Sequence, residues 1–132
     1  MKICSTCKKE KPLLDFQRKV RTDQVNRRSE CKECCNTKLC ADRARLRKEV
    51  LAAYGDKCAC CSIADHVFLA IDHVNDDGHE HRRKLGCRSS TTTFRWLKKN
   101  AYPKEFQILC FNCNEAKRYG ICPHKLVAPK ES

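Results

Sequence analysis

The chain has 132 residues, 28 Lys and Arg against 16 Asp and Glu, a formal net charge of +12, and 13 Cys. That length fits one domain, or a small domain with an appendage. With the cysteines set aside, too little apolar material remains for a large core, so disulfides or metal must supply the stability. No run of ~18 apolar residues is present, which argues against a membrane partner.

The first residues, MKICSTCKKEK, lack the apolar stretch of a secretion signal. The expected location is cytoplasmic, where thiols stay reduced. An odd number of Cys fits a closed disulfide set poorly, so metal is the better use for them.

Residues 1–34 read as a short zinc ribbon holding two C-x2-C pairs, Cys4/Cys7 and Cys31/Cys34. Residues 35–54 read as a helix with Leu39, Leu46, Val50 and Ala53 near one stripe. Gly55 is its stop. Arg43, Arg45 and Arg47 decorate the rest of this helix. They are either a solvated face or a grip on a polyanion. A third pair, Cys58/Cys61, follows. Residues 66–74, HVFLAIDHV, alternate as a strand and end in an NDDG turn. Residues 79–90 are polar and basic. Within them Arg82, Arg83 and Lys84 are phosphate-binding candidates. Ser90-Thr91 can cap a helix that Tyr102-Pro103 ends. Phe106–Leu109 is a second strand. It leads into the fourth pair, Cys110/Cys113, and a short helix from Asn114 to Tyr119 closed by Gly120.

A two-residue spacer lets one tight turn aim two thiolates at one tetrahedral ion. Four pairs therefore predict two structural Zn2+ sites: Cys4, Cys7, Cys31, Cys34 and Cys58, Cys61, Cys110, Cys113. Four thiolates leave no position for water or substrate, so these sites hold the fold and do not react. The second encloses a long segment and clamps the base of a domain. Cys35, Cys40, Cys60, Cys87 and Cys122 remain as ordinary thiols. Cys60 is placed to compete with Cys61. Cys122 and His124 are two ligands of a third site, too few to claim one. With both ions bound the charge stays near about +8, which still calls for a polyanionic partner.

The order C58-A-C-C61, A-I-D-H-V-N-D-D-G at 70–78 and F-Q-I-L-C-F-N-C-N-E-A-K at 106–117 resembles the HNH endonuclease family. Its catalytic unit is a ββα-metal fold. The resemblance covers roughly residues 56–124. The N-terminal Cys4 segment resembles, more loosely, modules that precede HNH domains in phage-type nucleases and small restriction enzymes.

The resemblance implies a small zinc-stabilised α+β protein. Residues 1–54 would form a Cys4 zinc module with a basic helix, and residues 55–132 the nuclease domain. It makes His73 the general base. Asp72 and Asn114 become oxygen ligands of one catalytic Mg2+ or Mn2+. Lys117 becomes a phosphate contact. The family's middle Asn aligns with Glu105, with Asn75 and Gln107 as substitutes. His81, just past the strand, is either an added metal or phosphate contact or part of a solvated loop; His79 lies beside it. The implied partner is DNA, double-stranded, in a bacterial or phage-infected cell, with a homodimer if both strands are cut. Two other readings share the zinc. One is a non-catalytic zinc-containing DNA-binding regulator. The other is an adaptor for proteins, which the net charge argues against.

Overall fold

The computed structural model describes residues 1–20, 26–75, 77–86 and 89–125. Cys87, and Asp76 of the NDDG turn, lie outside the described residues. The chain divides into two compact units, residues 1–44 and 45–132. The division falls within a helix that the sequence assigned whole to the first module.

In the first unit, β1 (Lys2–Ile3) pairs antiparallel with β2 (Glu10–Lys11). β3 (Phe16–Arg18) pairs antiparallel with β4 (Arg27–Cys31) through an irregular register. Among the described residues its buried centre is Cys4, Phe16 and Cys31, with Cys7 and Cys34 against it. One aromatic ring and a ring of thiols cannot offset the ordering entropy of some forty residues. The unit therefore depends on what its thiols bind.

Helix α1 (Lys32–Ala53) starts three residues before the expected position. Cys34 and Cys35 already lie in its first turn. Its buried residues are Val50 and Leu51. Leu39 and Ala53 of the expected stripe are exposed, and Leu51, outside that stripe, is fully buried. The last turns of α1 pack into the second unit, which explains why the division precedes Arg45.

The second unit is built on one ribbon. β5 (Leu69–His73) and β6 (Phe106–Cys110) pair antiparallel from Leu69↔Cys110 to His73↔Phe106. Helix α4 (Phe111–Lys117) follows β6 without a break. Between the strands lie α2 (Gly78–Leu85) and α3 (Ser90–Lys99). Residues 66–68 of the expected long strand form a 3-10 turn instead. The polar stretch expected after the NDDG turn is helical: Glu80 and Lys84 pair at 2.8 Å one turn apart, and Gly86 at φ 62° ends the helix. Ser89, not Ser90, caps α3, accepting from the Thr92 N–H.

Two apolar clusters flank the ribbon. Leu51, Leu69, Ile108 and Leu109 gather with Cys58, Cys110, Cys113 and Cys122. Val50, Phe94, Leu97 and Phe106 form the other, with Ile71 and Trp96 against it. Among the described residues the fold is thus a small α+β protein of four α-helices and three two-stranded sheets. No described helix is long and apolar enough to cross a membrane.

Candidate metal centres and candidate active site

The four C-x2-C pairs converge as their spacing predicts. Cys4, Cys7, Cys31 and Cys34 form one group, and Cys58, Cys61, Cys110 and Cys113 another, each with its sulfurs within 4.8 Å of one another. A tetrahedron with Zn–S of about 2.3 Å has S···S edges of about 3.8 Å. Cys61 Sγ and Cys110 Sγ lie 3.7 Å apart, and Cys4 Sγ and Cys34 Sγ 4.0 Å. Both groups fit zinc.

The backbone prepares these thiols for an ion. Burial pushes the Cys4 thiol up, but N–H groups of Cys31, Cys7 and Thr6 aimed at its sulfur outweigh it and bring it down to about 6. The N–H···S distances from Cys31 and Thr6 are 3.3 and 3.4 Å. Cys58 reaches about 6 in the same way, with burial opposed by the backbone of Cys61, Cys110 and Cys60. The neighbours respond oppositely. Hydrogen bonding to Cys31, then burial, pushes Cys34 up to about 12, and burial raises Cys113. Crowded thiols cannot all lose their protons unaided. A divalent cation at the centre removes that conflict.

A cleft of about 700 Å³ opens on the ribbon. Asp72 and His73 of β5, Gly78, His79 and Arg82 of α2, and Asn114 of α4 line it together, with Arg118 and Arg47. Strand alternation separates the first two. His73 stands opposite Phe106, and Asp72 opposite Gln107. The His73 ring packs on Phe106 at 4.4 Å between centroids. Its Nε2 lies 3.2 Å from His81 Nδ1. His81 in turn stands edge-on to Trp96 at 4.6 Å. Burial, then the neighbouring His81, holds the His73 pKa below its ordinary value, which favours the neutral ring.

Gly78 sets the other side of His73. A Cβ there would stand 2.8 Å from His73 Nδ1 and 3.2 Å from its Cε1. Only glycine leaves that nitrogen open.

Asp72 Oδ2 accepts from Gln107 Nε2 at 3.0 Å and from Lys117 Nζ at 2.8 Å. Lys117 Nζ also donates to the His73 carbonyl at 2.5 Å. The Lys117 ammonium is therefore engaged at the end of β5. Its position at the end of α4 points its long stem back at the strand. Of the residues considered for the middle position, Gln107 touches Asp72. Glu105 and Asn75 are exposed, and the Glu105 carbonyl accepts from the Val74 N–H at 2.9 Å.

Asn114 is inside α4. The helix cap is Cys110, whose sulfur accepts from the Cys113 N–H. Asn114 is thus spared capping duty and lies on the cleft wall.

Arg43, Arg45 and Arg83 are exposed, as is Lys84, which pairs with Glu80. Arg47 differs. Its Nη2 donates to the carbonyls of His66 at 2.6 Å and Leu69 at 2.7 Å. That pair of hydrogen bonds pins the approach to β5, so Arg47 braces the cleft wall. Arg47→Ala is expected to cost about 1–3 kcal/mol because two part-buried carbonyls lose a charged donor. The readout is a lower urea midpoint at unchanged zinc content; an unchanged midpoint would remove Arg47 from the structural role.

Three features escaped the sequence reading: Gly78, the His73–His81 contact, and Arg118 on the rim. The Gly after Asp77 was the available signal for the first. Comparisons with family models, with curated proteins and with solved structures find no match to this chain.

Proposed function

We propose that this protein is a divalent-metal-dependent DNA endonuclease of the HNH type, hydrolysing phosphodiester bonds with His73 as general base. The observation that carries the reading is the cleft itself. Two separate elements, β5 and α4, bring Asp72, His73 and Asn114 to one cleft, with Arg82 of α2 and Arg118 beside them. A cleft rimmed by cations in a chain of net charge +12 suits a phosphate backbone.

The chemistry follows from the contacts. The reaction requires the tautomer in which His73 donates Nε2–H to His81 Nδ1, 3.2 Å away, which leaves the Nδ1 lone pair free on the Gly78 side. There His73 Nδ1 takes the proton of the attacking water. His81 is a positioning residue: it fixes the His73 ring and tautomer. Asp72 and Asn114 would be the oxygen donors for Mg2+ or Mn2+, with Lys117 and Gln107 holding the Asp72 carboxylate in place through Oδ2. A bound divalent ion supplies positive charge to the phosphate and to the departing 3′ oxygen. Arg82 and Arg118 bind the flanking phosphates.

The direct test incubates zinc-loaded protein with supercoiled plasmid and Mg2+ or Mn2+, with an EDTA control. Nicked or linear DNA appearing only with the divalent ion is expected. Retarded but uncut plasmid would replace this reading with the DNA-binding regulator.

Gly78→Ala tests the geometry. The added methyl occupies the space in front of His73 Nδ1, so cleavage should fall by about 10²-fold, as for a catalytic group displaced by an ångström. DNA affinity and zinc content should hold. Wild-type rates in Gly78→Ala would place the attacking water elsewhere.

A further inference from the structure

Cys60, Cys122 and His124 are absorbed neither by the two zinc groups nor by the cleft. They meet at Cys113. The donor atoms of Cys60, Cys113, Cys122 and His124 lie within 4.8 Å of one another. His124 Nδ1 is 3.2 Å from Cys113 Sγ and 3.5 Å from Cys122 Sγ. In a tetrahedral site with Zn–S of about 2.3 Å and Zn–N of about 2.05 Å, the S···N edge is about 3.6 Å. The set is Cys3His, a closed structural combination. Cys113 also belongs to the Cys58 group, so the two tetrahedra share one corner.

We infer that the second unit holds a two-zinc cluster in which the Cys113 thiolate bridges the ion of the Cys58 group to a second ion held by Cys60, Cys122 and His124. This inference is independent of the endonuclease reading.

Local structure supports it. Cys60 sits between two ligands of the first ion, on the turn where its own N–H donates to Cys58 Sγ at 3.4 Å. That turn fixes where its side chain can go. Cys122 is buried beside Cys113 in the apolar cluster. A short turn follows, in which the Lys125 N–H donates to the Cys122 carbonyl at 2.9 Å and which carries His124. The ion would tie this segment after α4 to the turn before β5, where few apolar side chains are available to do so.

The proton and charge balance is ordinary. Cys60 and Cys122 release their thiol protons to solvent on loading. Cys113 is already a thiolate in the first ion's shell, and His124 binds as neutral imidazole through Nδ1. Six thiolates around two ions leave a net of about −2, the same as one isolated Cys4 zinc site.

The test counts zinc in the full chain, purified reduced with zinc and freed of loose metal on a chelating resin. Wild type should carry three ions per chain, and Cys60→Ser and His124→Ala two each. His124→Cys should restore three, because a thiolate replaces the imidazole as ligand; a merely structural role for His124 predicts no such rescue. In the 113Cd-loaded protein two of three resonances should show mutual coupling through the shared sulfur. Two zinc ions in wild type would overturn the cluster. Three ions persisting in both Cys60→Ser and His124→Ala would also overturn it, by placing the third ion elsewhere. Three ions without cadmium coupling would overturn the bridge.

Discussion

His73→Ala is expected to fold, keep its zinc and bind DNA, and to cut DNA too slowly to detect on a gel. Removing a positioned general base costs about 10²–10⁴ in rate. The side chain contacts Phe106 and His81 and is only part-buried, so its loss leaves a small gap on the cleft wall rather than in the core. His81→Ala should show a smaller loss. His81 acts through His73, and the double variant should be no slower than His73→Ala alone, since groups acting as one unit do not add.

The cleft's other residues fail differently. Asp72→Ala removes a proposed ion ligand and frees Lys117 Nζ from its carboxylate, so raised Mn2+ should restore part of the activity. Asn114→Asp keeps an oxygen donor and should retain activity that Asn114→Ala loses. Equal cutting by His73→Ala and wild type would move the base to another residue, with His79, also in the cleft, the first to test. Absence of cutting by any of these proteins would leave the regulator reading.

The parts legible in the sequence were those whose chemistry demands fixed spacing. Two thiolates on one turn require C-x2-C, so both Cys4 groups could be paired in order before any fold was known. The ribbon was legible for a related reason: apolar alternation through Leu69 and Ile71 survives in a half-buried strand. Helix α2 was not, because GHEHRRKL has no apolar stripe to betray a helical period; its turns are held by Glu80–Lys84 and by Gly86. Missing that helix hid the His73–His81 contact, since only a helical return from Gly78 carries His81 back to the strand end. Leu51 was missed as core because the last turns of α1 are buried by residues far later in the chain, Leu69, Ile108 and Leu109. The Cys60, Cys122 and His124 grouping was illegible because its fourth member, Cys113, was already assigned, and spacing rules give each cysteine one ion.

Cys58→Ser is expected to unfold the second unit while the first keeps its zinc. The reason lies in what the Cys58 group encloses. Cys58 and Cys61 precede the ribbon, and Cys110 and Cys113 stand at the end of β6 and in the first turn of α4. One ion therefore closes the chain around β5, α2, α3 and β6. Cys58, Cys110 and Cys113 are themselves core residues beside Leu51, Leu69 and Ile108. Each of those apolar side chains contributes about 1.5–3 kcal/mol on burial, whereas a structural zinc ion brings about 10–16 kcal/mol of binding energy coupled to folding at neutral pH. The apolar cluster alone cannot replace the ion. Serine is nearly isosteric but stays protonated, so it leaves a three-thiolate site and a buried hydroxyl. Two measurements check the prediction: zinc content should fall to the single ion of the Cys4 group, and amide exchange should become fast across β5 and β6 while residues 27–31 stay protected. The same exchange pattern should appear in wild type when a chelator strips the second unit. A Cys58→Ser protein with protected β5 and β6 amides would mean that packing, not metal, holds the ribbon that carries His73.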